Sequence, residues 1–159
     1  MNNRLKIARR LLRLAAELAG EPAMESVVYS AILIEPADQS NILEGSIHPV
    51  KYGEHVTLYF HGDDDTYDTP CAGKRVRVTL LKHYADDHGE AWTVRCDDQD
   101  VLRVKNPQQR LHVTVSCNGV SPVYSNTLIR TGTPDGRAGF TVNGVIAYFM
   151  CDGTWYTGE

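Results

Sequence analysis

Two short stretches of the chain, residues 55–60 and 111–117, share one alternating pattern of polar and apolar positions. Each contains the order His, apolar, Thr, apolar, read as His55-Val56-Thr57-Leu58 and as His112-Val113-Thr114-Val115. Because successive side chains of a strand point to opposite faces, the His and the Thr of each stretch should share one face. The opposite, apolar faces are expected to carry Val56, Leu58 and Phe60 in the first strand and Leu111, Val113, Val115 and Cys117 in the second.

The hydrophobic pattern elsewhere is also mostly that of strands. Further strands are predicted over 26–35, 74–81, 91–96, 140–142 and 145–149. The first of these is a β-branched run closed by Pro36, and the last two flank Asn143-Gly144, which is a strong hairpin signal. A short helix is predicted over 37–45, ending at Gly45. Seven or eight strands with two helices predict an α+β fold with a strand-rich core.

The N-terminal segment has helical rather than strand periodicity. Apolar residues recur at helical spacing at Ile7, Leu11, Leu14 and Leu18. This spacing predicts an amphipathic helix over 3–19 that Gly20 and Pro22 end. Its basic residues leave three interpretations open: a helix docked on its own domain, a homo-oligomer contact, or a basic arm for a polyanion. Residues 1–22 are therefore treated as a basic amphipathic helix apart from 23–159.

Composition and charge limit the classes of function. The chain has 159 residues, 42% of them hydrophobic and 23% charged, which predicts one globular domain. A net charge of −4 argues against a protein that coats nucleic acid, although a small phosphorylated substrate needs only a local positive field. The four cysteines form no CxxC pair and suit reduced thiols in the cytoplasm. No apolar run is long enough to cross a membrane.

Two clusters invite a metal interpretation, and neither has the required spacing. The acidic segment 62–68 lacks the Gly and Glu that a calcium-binding EF-hand loop starting at Asp63 would need, so a solvated loop is expected. The second cluster comprises His83, Asp86, Asp87 and His88, around a turn at Gly89. A hairpin loop is favoured there over metal ligation. We expect no metal and no cofactor.

Two matched His-x-Thr strands suit acid–base cleavage of a phosphodiester. This reaction needs a base on the attacking oxygen and an acid on the leaving oxygen, and two histidines can share those roles near neutral pH. Hydroxyl groups beside them can hold the phosphate oxygens as charge builds. Further residues that could line such a cleft are Tyr59, His61, Lys74, Tyr124 and Ser125.

The paired motifs resemble those of the 2H phosphoesterase superfamily, which is named for two His-x-Ser/Thr motifs. The opening strand 29–34 and the segment 122–126 resemble that superfamily too, the latter its tRNA-ligase-type phosphodiesterase subgroup. The similarity covers about residues 26–150, so 23–159 is expected to form a 2H phosphoesterase-like domain. The resemblance implies a bilobal fold with pseudo-twofold symmetry and a metal-independent site between the lobes. It implies His55 and His112 as the acid–base pair and Thr57 and Thr114 as the phosphate-binding residues.

Several functions stay open at this point. Members of the superfamily open 2′,3′-cyclic phosphates, hydrolyse 2′-5′ oligoadenylates or destroy cyclic-oligonucleotide signals, as phage anti-CBASS enzymes do. The leading hypothesis is a metal-independent phosphodiesterase that acts on a cyclic nucleotide, a short oligonucleotide or an RNA 2′,3′-cyclic phosphate, in a phage or bacterial setting. The alternatives are a non-catalytic module that sequesters a nucleotide, and a structural or assembly protein led by the basic helix.

Overall fold

The computed structural model describes residues 27–61 and 71–158, together with the single positions Leu11, Leu14, Ala15 and Leu18. The strands are β1 Val27–Ile34, β2 Val50–Lys51, β3 His55–Phe60, β4 Arg75–Ala85, β5 Gly89–Arg95, β6 His112–Cys117, β7 Thr141–Met150 and β8 Trp155–Tyr156. The helices are α1 Pro36–Leu43, α2 Gln99–Val104 and α3 Tyr124–Thr131. The predicted segment 62–68 and, apart from the four single positions, the predicted helix over 3–19 lie outside the described residues.

Six strands close into an antiparallel barrel. The order around it is β1, β3, β6, β5, β4, β7, and the pairing of β7 with β1 completes the ring. Strand β2 extends the edge of β6, and β8 pairs with β7. The strand-rich α+β prediction is therefore confirmed. The bilobal arrangement with pseudo-twofold symmetry is not confirmed, because the described strands form one barrel.

The core fills the barrel interior with one side of each strand. Strand β4, for example, buries Val76, Val78 and Leu80 between more exposed polar residues, as strand alternation requires. Helices α1 and α2 pack their apolar residues onto the same core. Helix α2 begins at Asp98, whose carboxylate accepts hydrogen bonds from the backbone N–H groups of the first turn. Helix α3 instead packs on the outside of β4 and β5, through Leu128 and Ile129.

The predicted hairpin at Asn143-Gly144 is wrong, because β7 continues through both residues. Gly144 lies where β7 crosses closest to β1. A Cβ atom on it would be 2.5 Å from Ile32 Cγ2 and 2.8 Å from the Leu33 carbonyl oxygen. The glycine therefore permits a close approach of two strands and does not form a turn.

A β-bulge in β3 changes which side chains face outward. Thr57 pairs with Ala31, and Tyr59 pairs with the adjacent Ser30, so Leu58 is an extra residue in β3. After the bulge the alternation is inverted. Phe60 therefore leaves the predicted apolar face and lies on the side of Thr57, while Tyr59 packs against the core.

Candidate active site

The two His-x-Thr motifs lie on adjacent strands of the barrel wall. Strands β3 and β6 pair antiparallel, with Val56 opposite Val113. The Thr114 carbonyl oxygen accepts a hydrogen bond from the Gly53 N–H, so regular pairing of the two strands is limited to Val56 and Val113. His55, Thr57, His112 and Thr114 nevertheless line one cavity, and the charge of His112 acts on His55. The pairing thus brings two hydroxyls and two imidazoles to one surface of the barrel.

A turn after β2 starts the first motif strand in this register. Gly53 has a positive φ of 78°, and its N–H donates to the Thr114 carbonyl oxygen. A non-glycine residue is strained in that conformation. The chain therefore leaves the edge of β6 at Glu54 and returns to it as β3, beginning at His55.

All four motif side chains line one groove of about 500 Å³ on the outside of the barrel. Aromatic residues Tyr29, Tyr52 and Phe60 contribute to its wall. Its other lining residues are Glu54, Gln109, Pro122, Val123 and Asn126. The Phe60 side chain is 62% exposed, so a large apolar ring faces solvent beside the motifs.

Aromatic rings enclose the His55 imidazole. It stacks on Tyr29 at 5.3 Å between ring centroids and lies 5.4 Å from Trp155. Tyr29 in turn stacks on Phe149 at 4.9 Å. Burial, and to a smaller degree repulsion from His112, lowers the pKa of His55 to about 4. Among the described residues, no hydrogen-bond partner occupies either ring nitrogen, so a neutral imidazole faces the groove.

His112 is oriented by the backbone. Its Nδ1 lies 2.9 Å from the Arg110 carbonyl oxygen, and because a carbonyl can only accept, Nδ1 carries the proton. In the neutral form Nε2 is therefore the acceptor. Burial lowers the pKa of His112, while the bond to Arg110 opposes this shift by stabilising the protonated ring.

The two threonines differ in their surroundings. The Thr114 hydroxyl is 2.8 Å from Ser125 Oγ and 3.4 Å from the Pro122 carbonyl oxygen. Ser125 belongs to the first turn of α3 and is buried, so the helix fixes the position of the Thr114 hydroxyl. Thr57 makes no side-chain hydrogen bond within the described part of the chain, which leaves its hydroxyl available to a ligand.

The structure brings together the four motif residues but not all of the other predicted lining residues. Tyr59 packs on the core because of the bulge. Tyr124 points to the other side of α3, where its hydroxyl donates to Asp86. Ser125 lies behind Thr114 and contacts the groove only through it. His61 Nε2 is 2.7 Å from Ser30 Oγ, and Lys74 forms ion pairs with Asp98 and Asp100.

The predicted His83 cluster does not assemble into a metal site. His83 is fully buried, with Nδ1 2.6 Å from Asp135 Oδ2 and Nε2 2.9 Å from Glu90 Oε1. Both ring nitrogens thus lie within hydrogen-bond distance of a carboxylate oxygen. Glu90 also accepts from Ser116 Oγ at 2.6 Å and from the Ile47 N–H at 3.0 Å. Within residues 27–61 and 71–158, no group of three or more His, Cys, Asp or Glu side chains could hold a metal ion.

Sequence reasoning missed the aromatic part of the site. Tyr29 and Trp155 come from β1 and β8, far from either motif in sequence, and only closure of the barrel brings them to His55.

No helix among the described residues is long and apolar enough to cross a membrane. Comparisons with protein-family models, with curated proteins and with solved structures gave no match.

Proposed function

We propose that the chain is a 2H-type phosphodiesterase that cleaves a nucleotide phosphodiester between His55 and His112. The observation that carries the proposal is the register at Val56 and Val113, which faces both His-x-Thr motifs into one groove. Had the motifs been unrelated strand residues, nothing would favour two histidines and two hydroxyls in a single cavity. The combination meets the geometric requirement for paired acid and base groups.

The catalytic step follows from the placement of both histidines in one groove. One imidazole removes a proton from water, or from a neighbouring 2′-hydroxyl of the substrate, and that oxygen forms the new P–O bond. The other imidazolium gives its proton to the leaving oxygen as the old P–O bond breaks. With water as the nucleophile the products are a phosphomonoester and an alcohol. Thr57 and Thr114 donate to the non-bridging oxygens, which become more negative in the transition state.

The surroundings of the two histidines suggest which one is the acid. His55 is enclosed by rings and has a pKa near 4, so it is neutral at pH 7 and suited to act as the base. His112 has a backbone carbonyl that stabilises its protonated form. A bound phosphate anion would stabilise that form further. His112 is therefore proposed as the general acid.

The groove also suggests a nucleotide as the substrate. The exposed ring of Phe60 stands beside the motifs and offers a stacking surface for a base. Stacking on an aromatic face is tolerant of base identity, which gives a platform without strong base preference. Its place next to the proposed phosphate site matches a ligand with a base and a phosphodiester.

Product analysis tests the proposal. The protein, in EDTA, is incubated with 2′,3′-cyclic nucleotides, 2′-5′ oligoadenylate, 3′-5′ dinucleotides and cyclic di- and trinucleotides, and the products are separated by chromatography. We expect turnover of at least one class in the wild type and its loss in His55→Ala and in His112→Ala. The matched control is His88→Ala, which removes an exposed histidine outside the groove. Binding without turnover would indicate a nucleotide-sequestering module. The absence of both binding and turnover would favour an assembly protein.

An activated substrate tests the assignment of acid and base. The nitrophenolate group of a nitrophenyl phosphodiester leaves without being protonated, so cleavage of this substrate needs no general acid. We expect His112→Ala to lose much less activity on this substrate than on a nucleotide, whereas His55→Ala should lose activity on both. The reverse pattern would exchange the two roles.

A further inference from the structure

A second cavity adjoins the groove on the far side of His112. It has a volume of about 520 Å³ and shares His112, Gln109 and Asn126 with the groove. The two cavities thus meet at the proposed general acid. A ligand held at the motifs can extend past His112 into this second space.

Two arginines give the second cavity a positive charge. Arg110 comes from the loop before β6, and Arg130 from the last turn of α3. Both side chains are exposed, and neither forms an ion pair with a described carboxylate. Within residues 27–61 and 71–158, the Arg110 guanidinium makes one hydrogen bond, from Nη2 to the Tyr84 hydroxyl at 3.5 Å. Elsewhere on the barrel, by contrast, Arg75 is neutralised by Glu35.

The other described residues of the lining are mostly polar, and none of them is acidic. They comprise the amides of Asn106, Gln108, Gln109 and Asn126, with His112 and the aliphatic Ile129. Amide N–H groups and guanidinium groups are all donors that suit an anionic oxygen. Two unneutralised guanidiniums in one concave surface match a phosphate group better than any neutral ligand.

We propose that this cavity binds a second phosphate group of the substrate, on the leaving-group side of the bond that is cleaved. The proposal rests on the proposed function and narrows its substrate class to oligonucleotides or their phosphorylated ends. A 2′,3′-cyclic mononucleotide has one phosphate, which the motifs would hold, and would leave Arg110 and Arg130 unused. A dinucleotide with a terminal phosphate would occupy both cavities.

Kinetic discrimination tests the proposal. Values of kcat/KM are measured for dinucleotides without a terminal phosphate and for the same dinucleotides phosphorylated at the 5′ or the 3′ end. We expect one phosphorylated form to be preferred roughly tenfold or more, the effect of a charge-assisted contact. In Arg110→Gln/Arg130→Gln this preference should fall to near parity. Arg77→Gln, which removes an exposed cation on β4, should keep it.

A binding measurement separates failure of this proposal from failure of the proposed function. Binding of adenosine 3′,5′-bisphosphate, adenosine 3′-monophosphate and adenosine 5′-monophosphate is measured by calorimetry. The wild type is compared with Arg110→Gln/Arg130→Gln. If the wild type prefers the bisphosphate, the double variant does not, and no substrate is turned over, the second phosphate site is supported and the phosphodiesterase proposal is overturned. Turnover without a preference for either phosphorylated dinucleotide, or equal binding of all three nucleotides, would overturn the second phosphate site.

Discussion

The enclosed imidazole of His55 should make the protein lose stability in acid. The folded-state pKa of about 4 lies below the ordinary value of 6.5 expected in the unfolded chain. Between these values the unfolded state binds a proton that the folded state does not, so the free energy of unfolding falls as the pH falls from 6.5 to 4. At 1.36 kcal/mol for each pKa unit, the loss attributable to this one side chain is about 3 kcal/mol.

Chemical denaturation at pH 7.5 and pH 4 measures this contribution. Carboxylates also titrate in this range, so the informative quantity is the difference between wild type and His55→Gln. We expect the wild type to lose about 3 kcal/mol more than the variant. Thr57→Val, which alters the same groove without removing a titrating group, should keep the full wild-type dependence.

An NMR titration of the His55 ring protons gives an independent value. The pKa should lie near 4 in the wild type and should rise in His112→Ala, because His112 contributes to the downward shift. A His55 that titrates at 6.5 or above, or stability that falls in parallel in wild type and His55→Gln, would refute the reasoning.

Further predictions follow from other contacts. In Gly144→Ala the added methyl group meets the neighbouring strand, so the free energy of unfolding measured in urea should fall by about 2 kcal/mol. His83→Leu removes one hydrogen-bond partner of the buried Glu90 carboxylate and should cost about 1–3 kcal/mol in the same assay. Ser125→Ala frees the hydroxyl of Thr114 and should lower kcat by up to roughly a hundredfold with little change in stability. If the reacting form has one neutral and one protonated histidine, kcat/KM should peak below pH 6.5 and decline toward pH 8; an optimum above pH 8 would contradict it.

Local pattern was sufficient to predict most strands. The β-branched run of β1 forms a strand, and residues 55–58 and 112–115 alternate half-buried and buried positions as the pattern predicts. The shared face of each His and Thr pair follows from the same period of two. These are properties of a few neighbouring residues, which a sequence shows directly.

The features that sequence did not predict depend on contacts between distant segments. Asn143-Gly144 has the composition of a turn, yet Ile32 passes so close that only glycine fits in the strand. The bulge at Leu58 exists only relative to its partner β1, so the exchange of Tyr59 and Phe60 could not be read from alternation. Helix α2 has only six residues, too few for its periodicity to stand out.

The same difference between local patterns and long-range contacts applies to the residues of the site. The four motif residues were predicted because a repeated motif is visible in one dimension. The aromatic enclosure of His55 and the support of Thr114 by Ser125 were not, since each joins elements that are remote in sequence. The residues that carry the proposed chemistry were thus accessible from sequence, whereas those that tune it required the fold.

The motifs lie across the most sparsely paired seam of the described barrel. Strands β3 and β6 share a single register pair, whereas β1 and β7 pair along nearly their full length. Amide hydrogen exchange should therefore be fastest at this seam, because few backbone bonds must break for it to part. A ligand that binds Thr57 on one strand and Thr114 on the other would stabilise the contact between the strands and slow amide exchange there. Ligand affinity at the groove and the rate of exchange between β3 and β6 would then both depend on the equilibrium of local opening at this seam.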